Sequence, residues 1–155
     1  MRNGWVNLGG NLYLLGPGPR NDLWAVGVQQ PWARRGLTLG TLWLKGDTSV
    51  SSSGGYDRFF VQQEKVWHHL LDPHTGRPAD NGALGCTVVC ADALLGDVLS
   101  TVLFVGGAQC LRRTAAALCP DIPVGYILAR DDFSAEISPE LEPVFSPANS
   151  RPCDT

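Results

Sequence analysis

Apolar residues alternate with Asn7, Gly9 and Asn11 over residues 5–15, the period-two pattern of a strand. Gly9-Gly10 inside that pattern predicts a bulge, or a place where something approaches the backbone closely. Gly16-Pro17-Gly18-Pro19 is a turn. Residues 23–29 read as the next strand, ended by Gln30-Pro31. A third strand over 37–45 alternates Leu37, Leu39, Thr41, Trp43 and Lys45 with Thr38, Gly40, Leu42 and Leu44. After a turn at Gly46-Asp47, residues 48–53 form a β-branched, serine-rich strand. Residues 59–62 and 66–71, separated by Gln63-Glu64-Lys65, predict a hairpin, and Asp72-Pro73-His74-Thr75-Gly76-Arg77-Pro78 a rigid polar loop.

The pattern changes after residue 84. Residues 84–91 are a strand of the buried type, and 92–105 a helix with Asp92 as N-cap and Gly106-Gly107 as its stop. A second helix over 108–118 is closed by Cys119-Pro120, and strands follow over 124–129 and 133–137. From Pro139 the chain is rich in Pro, Ser and Asn, the composition of a loose tail. The expected class is α+β, a mainly antiparallel sheet with two late helices. Residues 1–138 are expected to form one domain and 139–155 a poorly ordered tail.

Composition narrows the function classes. With 44% hydrophobic and 17% charged residues among 155, the chain is neither disordered nor a coiled coil. A net charge of −3 leaves no basic stripe for nucleic acid. The apolar run 98–105 is shorter than the roughly 20 residues of a membrane span and carries Ser100 and Thr101. The first ten residues break their apolar positions with Asn and Gly, unlike a secretion signal. The five cysteines are odd in number and lack CxxC spacing, which favours reduced thiols and leans towards the cytoplasm. Cys86 and Cys90 point the same way along a strand but lie too far apart for easy zinc chelation, so structural thiols are expected.

Three places carry candidate chemistry. Asp97 sits in a helix that is apolar almost all round, where a carboxylate is costly unless paired, protonated or metal-bound. Thr101 follows one turn on along the same face, and the two could offer oxygens to a hard cation such as Mg2+. The bland alternative is a solvent-facing Asp, with Thr101 bonding back to a main-chain carbonyl. His68 and His69 point to opposite strand faces, so one can face a site as a general base and the other cannot share its metal. The run Ser51-Ser52-Ser53-Gly54-Gly55-Tyr56-Asp57-Arg58 places hydroxyls, N–H groups and a guanidinium at a strand end. That suits a pyrophosphate, or is simply a loop.

Taken in order, Asn7-Leu8-Gly9-Gly10-Asn11, Ser52-Ser53-Gly54-Gly55-Tyr56-Asp57-Arg58-Phe59, His68-His69-Leu70-Leu71-Asp72-Pro73-His74-Thr75-Gly76-Arg77-Pro78 and Asp92-Ala93-Leu94-Leu95-Gly96-Asp97-Val98-Leu99-Ser100-Thr101 resemble the ApbE family of FAD:protein FMN transferases. The similarity runs from about Val6 to Gly107 and more loosely to Ala129. The resemblance implies transfer of FMN from FAD to a Thr or Ser hydroxyl of an acceptor protein, with Mg2+ and release of AMP. It implies that Asp97 and Thr101 are the metal ligands and that His69 accepts the hydroxyl proton or orients the hydroxyl. Gly9 and Gly10 would let the flavin nucleotide lie against the backbone, and Ser53, Gly54, His69 and Thr101 would border the same pocket.

The departures are Ser52-Ser53-Gly54 in place of Thr-Ser-Gly, and Gly96 in place of Ala, which weakens the helix by up to about 1 kcal/mol. Members of the family also carry a preceding half that completes the metal site and much of the adenine pocket. The expectation is therefore a partner chain supplying that half, or self-association through an exposed sheet edge. The alternative function is a truncated or degenerate module that binds flavin or a partner without transfer activity.

Overall fold

The protein is described by a computed structural model covering residues 3–33, 36–56 and 58–148. Its centre is a six-stranded antiparallel sheet ordered β1-β2-β5-β8-β9-β10. The strands are β1 (Gly4–Leu8), β2 (Asn11–Leu15), β5 (Thr48–Gly54), β8 (Ala83–Cys90), β9 (Gly125–Arg130) and β10 (Ala135–Ile137). Helix α1 (Ala93–Leu118) packs on one face, burying Val88, Leu99, Leu103, Phe104 and Leu128 completely. The other face meets a second sheet of β3 (Trp24–Gln29), β4 (Thr38–Leu44) and β11 (Phe145–Pro147), with Leu14, Leu42, Val50 and Ile127 between them. This makes three layers, the α+β class with a mainly antiparallel sheet. A third, two-stranded sheet, β6 (Phe59–Gln62) with β7 (Lys65–His68), stands apart from both.

Gly9-Gly10 forms a turn, which corrects the expectation of one bulged strand. Leu8 pairs with Asn11, and both glycines have positive φ, 65° and 105°, as a two-residue hairpin connection requires. The turn sets which way the side chains of β2 face. Cross-strand partners share a face, so Trp5, Asn7, Leu12 and Leu14 point to the small sheet, and Val6, Leu8, Asn11 and Tyr13 to the helix. Asn11 thereby lies on the side of α1.

The tail needs a second correction. Residues 139–148 are ordered: Leu141 is buried, Glu142–Val144 form a 3-10 turn, and β11 pairs with β4. The Phe145 ring occupies the space where Gly40 would carry a Cβ. Pro147 is tolerated because β11 is an edge strand. Residues 149–155 lie outside the described residues.

The two expected helices run as one element, interrupted where they were expected to part. Gly107 has φ 75° and ψ 179°, which no helix contains. Asp92 is the N-cap, its Oδ1 accepting from Leu94 N at 2.8 Å and Leu95 N at 2.9 Å. By length and apolar composition α1 would suffice to cross a membrane. Its inner side, however, packs on β5 and β8 as a core helix. It comes close to β5 because Gly96 lies over a row of serines: a Cβ there would sit 2.8 Å from Ser51 Oγ and 2.9 Å from Ser49 Oγ. The glycine that lowers helix propensity is what lets the first turns of α1 sit down on the strand.

The β6–β7 hairpin turns through Gln63 and Glu64, at φ 50° and 61°. A two-residue turn of this kind prefers Asn-Gly, and side chains in the left-handed region are strained. Glu64→Gly is expected to stabilise the hairpin by up to about 1 kcal/mol, read as slower amide exchange at Gln62 and Lys65.

Of the described cysteines, Cys86, Cys90 and Cys119 are buried and Cys110 is exposed, all as free thiols. Burial pushes the Cys86 thiol up to about 12, against the lowering effect of its backbone hydrogen bonds. It is an inert structural thiol.

Candidate functional site

The Gly9-Gly10 turn is held from both sides. Asn7 Oδ1 accepts from Gly10 N at 3.0 Å, and the Gly10 carbonyl accepts from Ser52 N at 3.1 Å. Nothing lies within 4 Å of where a Gly9 Cβ would be, so bare main chain faces outwards there. Immediately after the turn, Asn11 Nδ2 donates to Asp97 Oδ1 at 2.6 Å, tying the hairpin to the second turn of α1. Asp97 Oδ2 accepts no hydrogen bond among the described residues.

Thr101 lies one turn beyond Asp97, exposed, its Oγ1 donating to the Asp97 carbonyl at the long distance of 3.5 Å. Ser100 Oγ donates to the same carbonyl at 2.9 Å. Its one proton is then spent, so the 2.8 Å contact with Ser53 Oγ runs from Ser53 to Ser100. The end of β5 is in this way fastened beneath the helical turn that carries Asp97 and Thr101. Gly54, next along β5, is buried with the Tyr56 ring where a Cβ would be, so its lack of a side chain makes room for that ring.

A free carboxylate oxygen and an exposed hydroxyl one helical turn apart are hard donors of the kind Mg2+ and Ca2+ take. They fit such an ion as part of its shell. No group of three or more His, Cys, Asp or Glu gathers among the described residues. The remaining positions would fall to water, phosphate oxygens or another part of the protein.

The two histidines divide as the strand geometry requires. His68 turns inwards: its ring packs edge-on to Phe104 and against Gly55. Its Nε2 meets the Ala79 carbonyl at 3.2 Å. His69 is exposed, and its Nδ1 meets the Arg58 carbonyl at 3.3 Å. A carbonyl can only accept, so Nδ1 carries a proton, and in the neutral ring the lone pair is left on Nε2. The adjoining loop is stiffened by Asp72, whose carboxylate accepts from His74 N at 2.9 Å and Thr75 Oγ1 at 3.3 Å, while its carbonyl accepts from Gly76 N at 2.8 Å. Asp72 therefore builds the loop that positions His69.

The structure thus brings Gly10, Ser53, Asp97 and Thr101 into one connected patch, with Gly9 at its open edge. His69 belongs to a separate hydrogen-bonded group at the base of the β6–β7 hairpin, and no contact links it to Asp97 or Thr101 among the described residues. Asn11 and Ser100, the residues that join the patch together, were given no role by the sequence. Their only signal was a polar residue among apolar ones.

The model of the ApbE family matches residues 1–124. The chain belongs to the ApbE family. It is 36% identical over 145 residues to an FAD:protein FMN transferase of Klebsiella pneumoniae, covering 94% of this chain and 43% of that protein. A Vibrio cholerae protein of the same description is 30% identical over 147 residues, again 94% of this chain and 43% of its own. The crystal structure of the ApbE protein from Thermotoga maritima superposes with a TM-score of 0.77 at 30% identity, over 93% of this chain and 45% of that one. This ApbE chain therefore spans less than half the length of the relatives it matches.

Proposed function

We propose that this ApbE chain carries the metal-binding helix and the proton-accepting histidine of an FAD:protein FMN transferase. The carrying observation is the Asn11–Asp97 bond, which joins the open Gly9-Gly10 turn to a carboxylate with a free oxygen. The flavin nucleotide lies along the main chain of the turn, bordered by Ser53 and Gly54. Asp97 and Thr101 hold Mg2+, which, when bound, supplies positive charge beside the pyrophosphate. His69 Nε2 takes the proton of an acceptor Ser or Thr hydroxyl. The hydroxyl oxygen forms a bond to the FMN phosphorus, the pyrophosphate P–O bond breaks, and AMP leaves.

The apolar residues exposed beside the patch support an additional part to this site. Val6 and Leu8 on β1 are 57% and 75% exposed on the helix side, and Leu94 and Val98 on α1 are 74% and 43% exposed. We assign this surface to the rest of the site, provided by further polypeptide or by a second copy. The test is incubation with FAD, Mg2+ and a flavin-accepting protein, with and without the complementary half of a relative. Covalent FMN on the acceptor, with AMP released, supports transfer. AMP without acceptor flavin replaces it with FAD hydrolysis, and neither product overturns both.

Asn11 acts on the metal through Asp97. Asn11→Ala is expected to weaken Mg2+ binding roughly 10–100-fold, the usual cost of losing an outer partner of a ligand. Calorimetric titration of Mg2+ into the FAD-loaded protein reads this directly.

A further inference from the structure

We propose that Asn81 is a positioning residue for transfer, whose side chain ties the segment holding His69 to the helical turns of Asp97 and Thr101 and so fixes the distance between them. The proposal rests on the transferase reading and says what holds its two separate groups in register.

The need for such a tie follows from the fold. His69 has no contact with Asp97 or Thr101 among the described residues, so their separation is set by what lies between. On one side, Ala79 brackets His69. The Ala79 carbonyl accepts from His68 Nε2 at 3.2 Å, and Ala79 N donates to the Leu70 carbonyl at 3.0 Å. The residues before and after His69 are thereby fastened to one buried residue, two positions before Asn81.

On the other side stands the break in α1. No regular helix runs through Gly107, so the carbonyls of the turn before it need partners outside the helix. Asn81 Nδ2 donates to the carbonyls of Phe104 and Val105, each at 2.9 Å. These residues lie one turn beyond Thr101, at the end of the helical segment that carries both candidate ligands. Phe104 is held twice, by its carbonyl on Asn81 and by its buried ring against His68.

The third group of the amide is used as well: Asn81 Oδ1 accepts from Ala83 N at 3.1 Å. Reversing the amide would set its oxygen against two carbonyl oxygens, so its orientation follows from the three bonds. An asparagine that served only its own loop would need the bond to Ala83 alone. The two bonds to α1 add nothing to that local turn and join it to the metal-bearing segment. A proton acceptor works only within hydrogen-bond reach of its hydroxyl, and a misplacement of about 1 Å can cost about 10²-fold in rate.

Asn81→Asp tests this, because it keeps an acceptor for Ala83 N and removes both donors to the helix. Asn81 is exposed, so the core is left intact. Transfer of FMN is measured with the complementary half of a relative present, and FAD and Mg2+ binding are measured apart from it. Asn81→Asp is expected to lower kcat about 10–100-fold, with KM for FAD and Mg2+ affinity unchanged. Asn81→Gln, which keeps the donors, should stay well above Asn81→Asp. In the His69→Ala background Asn81→Asp should cost almost nothing further, since residues that act as a unit are not additive. A readout without turnover uses Mn2+ in place of Mg2+. The broadening that the bound ion causes in the His69 ring resonance, identified by its loss in His69→Ala, should change with Asn81→Asp. Unchanged kcat in Asn81→Asp, a parallel fall in FAD or Mg2+ affinity, a full additional loss in the His69→Ala background, or unaltered broadening overturns the proposal. An unaltered chain that neither binds Mn2+ nor transfers FMN sinks the transferase reading, and this proposal with it.

Discussion

On the proposed transferase reading, in which Mg2+ strengthens flavin binding, Asp97→Ala is expected to remove that Mg2+ effect altogether. Asp97 is the carboxylate whose free oxygen is set beside an exposed hydroxyl on the same helical face, and alanine removes the charge as well as the donor. Loss of an outer partner costs metal affinity roughly 10–100-fold, and loss of the ligand itself should exceed that. Fold damage should be slight, since Asp97 is exposed and its side-chain bond among the described residues is to Asn11. FAD fluorescence titrated with and without Mg2+ separates the cases. Residual Mg2+-dependent binding in the variant would move the metal to another part of the protein. Thr101→Val should act in the same direction but more weakly, because a neutral hydroxyl contributes less to holding a cation than a carboxylate.

The second large effect belongs to His69. His69→Ala should lower the rate of FMN transfer by about 10²–10⁴-fold, the range for removal of a general base, with FAD affinity preserved. The preserved affinity is the discriminating part. His69 lies outside the hydrogen-bonded patch of Gly10, Ser53 and Asp97, so its loss leaves the proposed nucleotide surface intact. A matching fall in FAD affinity would make His69 a binding residue. His68→Ala should behave differently. The His68 ring is wedged between Gly55 and Phe104, so its removal loses that packing and acts on stability.

Much of this architecture could be read in the chain before folding. The strands β3, β4 and β5 fall where alternation and their Gly, Pro and Asp boundaries put them, because both faces of these strands meet the same kind of neighbour throughout. The cap at Asp92 and the break at Gly107 were legible for the same local reason. Gly9-Gly10 was ambiguous. Two adjacent glycines permit a bulge or a turn equally, and only pairing of Leu8 with Asn11 decides between them. Strand β11 was hidden because Phe145-Ser146-Pro147 is a strand only by virtue of its partner β4.

In the candidate site, the i, i+4 spacing of Asp97 and Thr101 is local and could be read. Their connection through Asn11 and through the serines of β5 is tertiary and could not. The exposed apolar side of α1 misled in a useful way. Leu94 and Val98 look like core positions in the sequence and stand open in the fold, beside the carboxylate that their helix presents.

The Asn11–Asp97 bond spans 86 residues of chain, which has a bearing on the order of assembly. Contacts so distant in sequence pay their loop-closure entropy late, after local pairings have formed. The first hairpin can close by itself, and α1 can form above β5 and β8, without the site existing. The carboxylate gains its partner only when β2 docks along β5 beside a helix made long afterwards. Nascent or half-folded chains therefore expose the glycine turn and the Asp97 carboxylate separately, and the connected patch exists only in the folded protein.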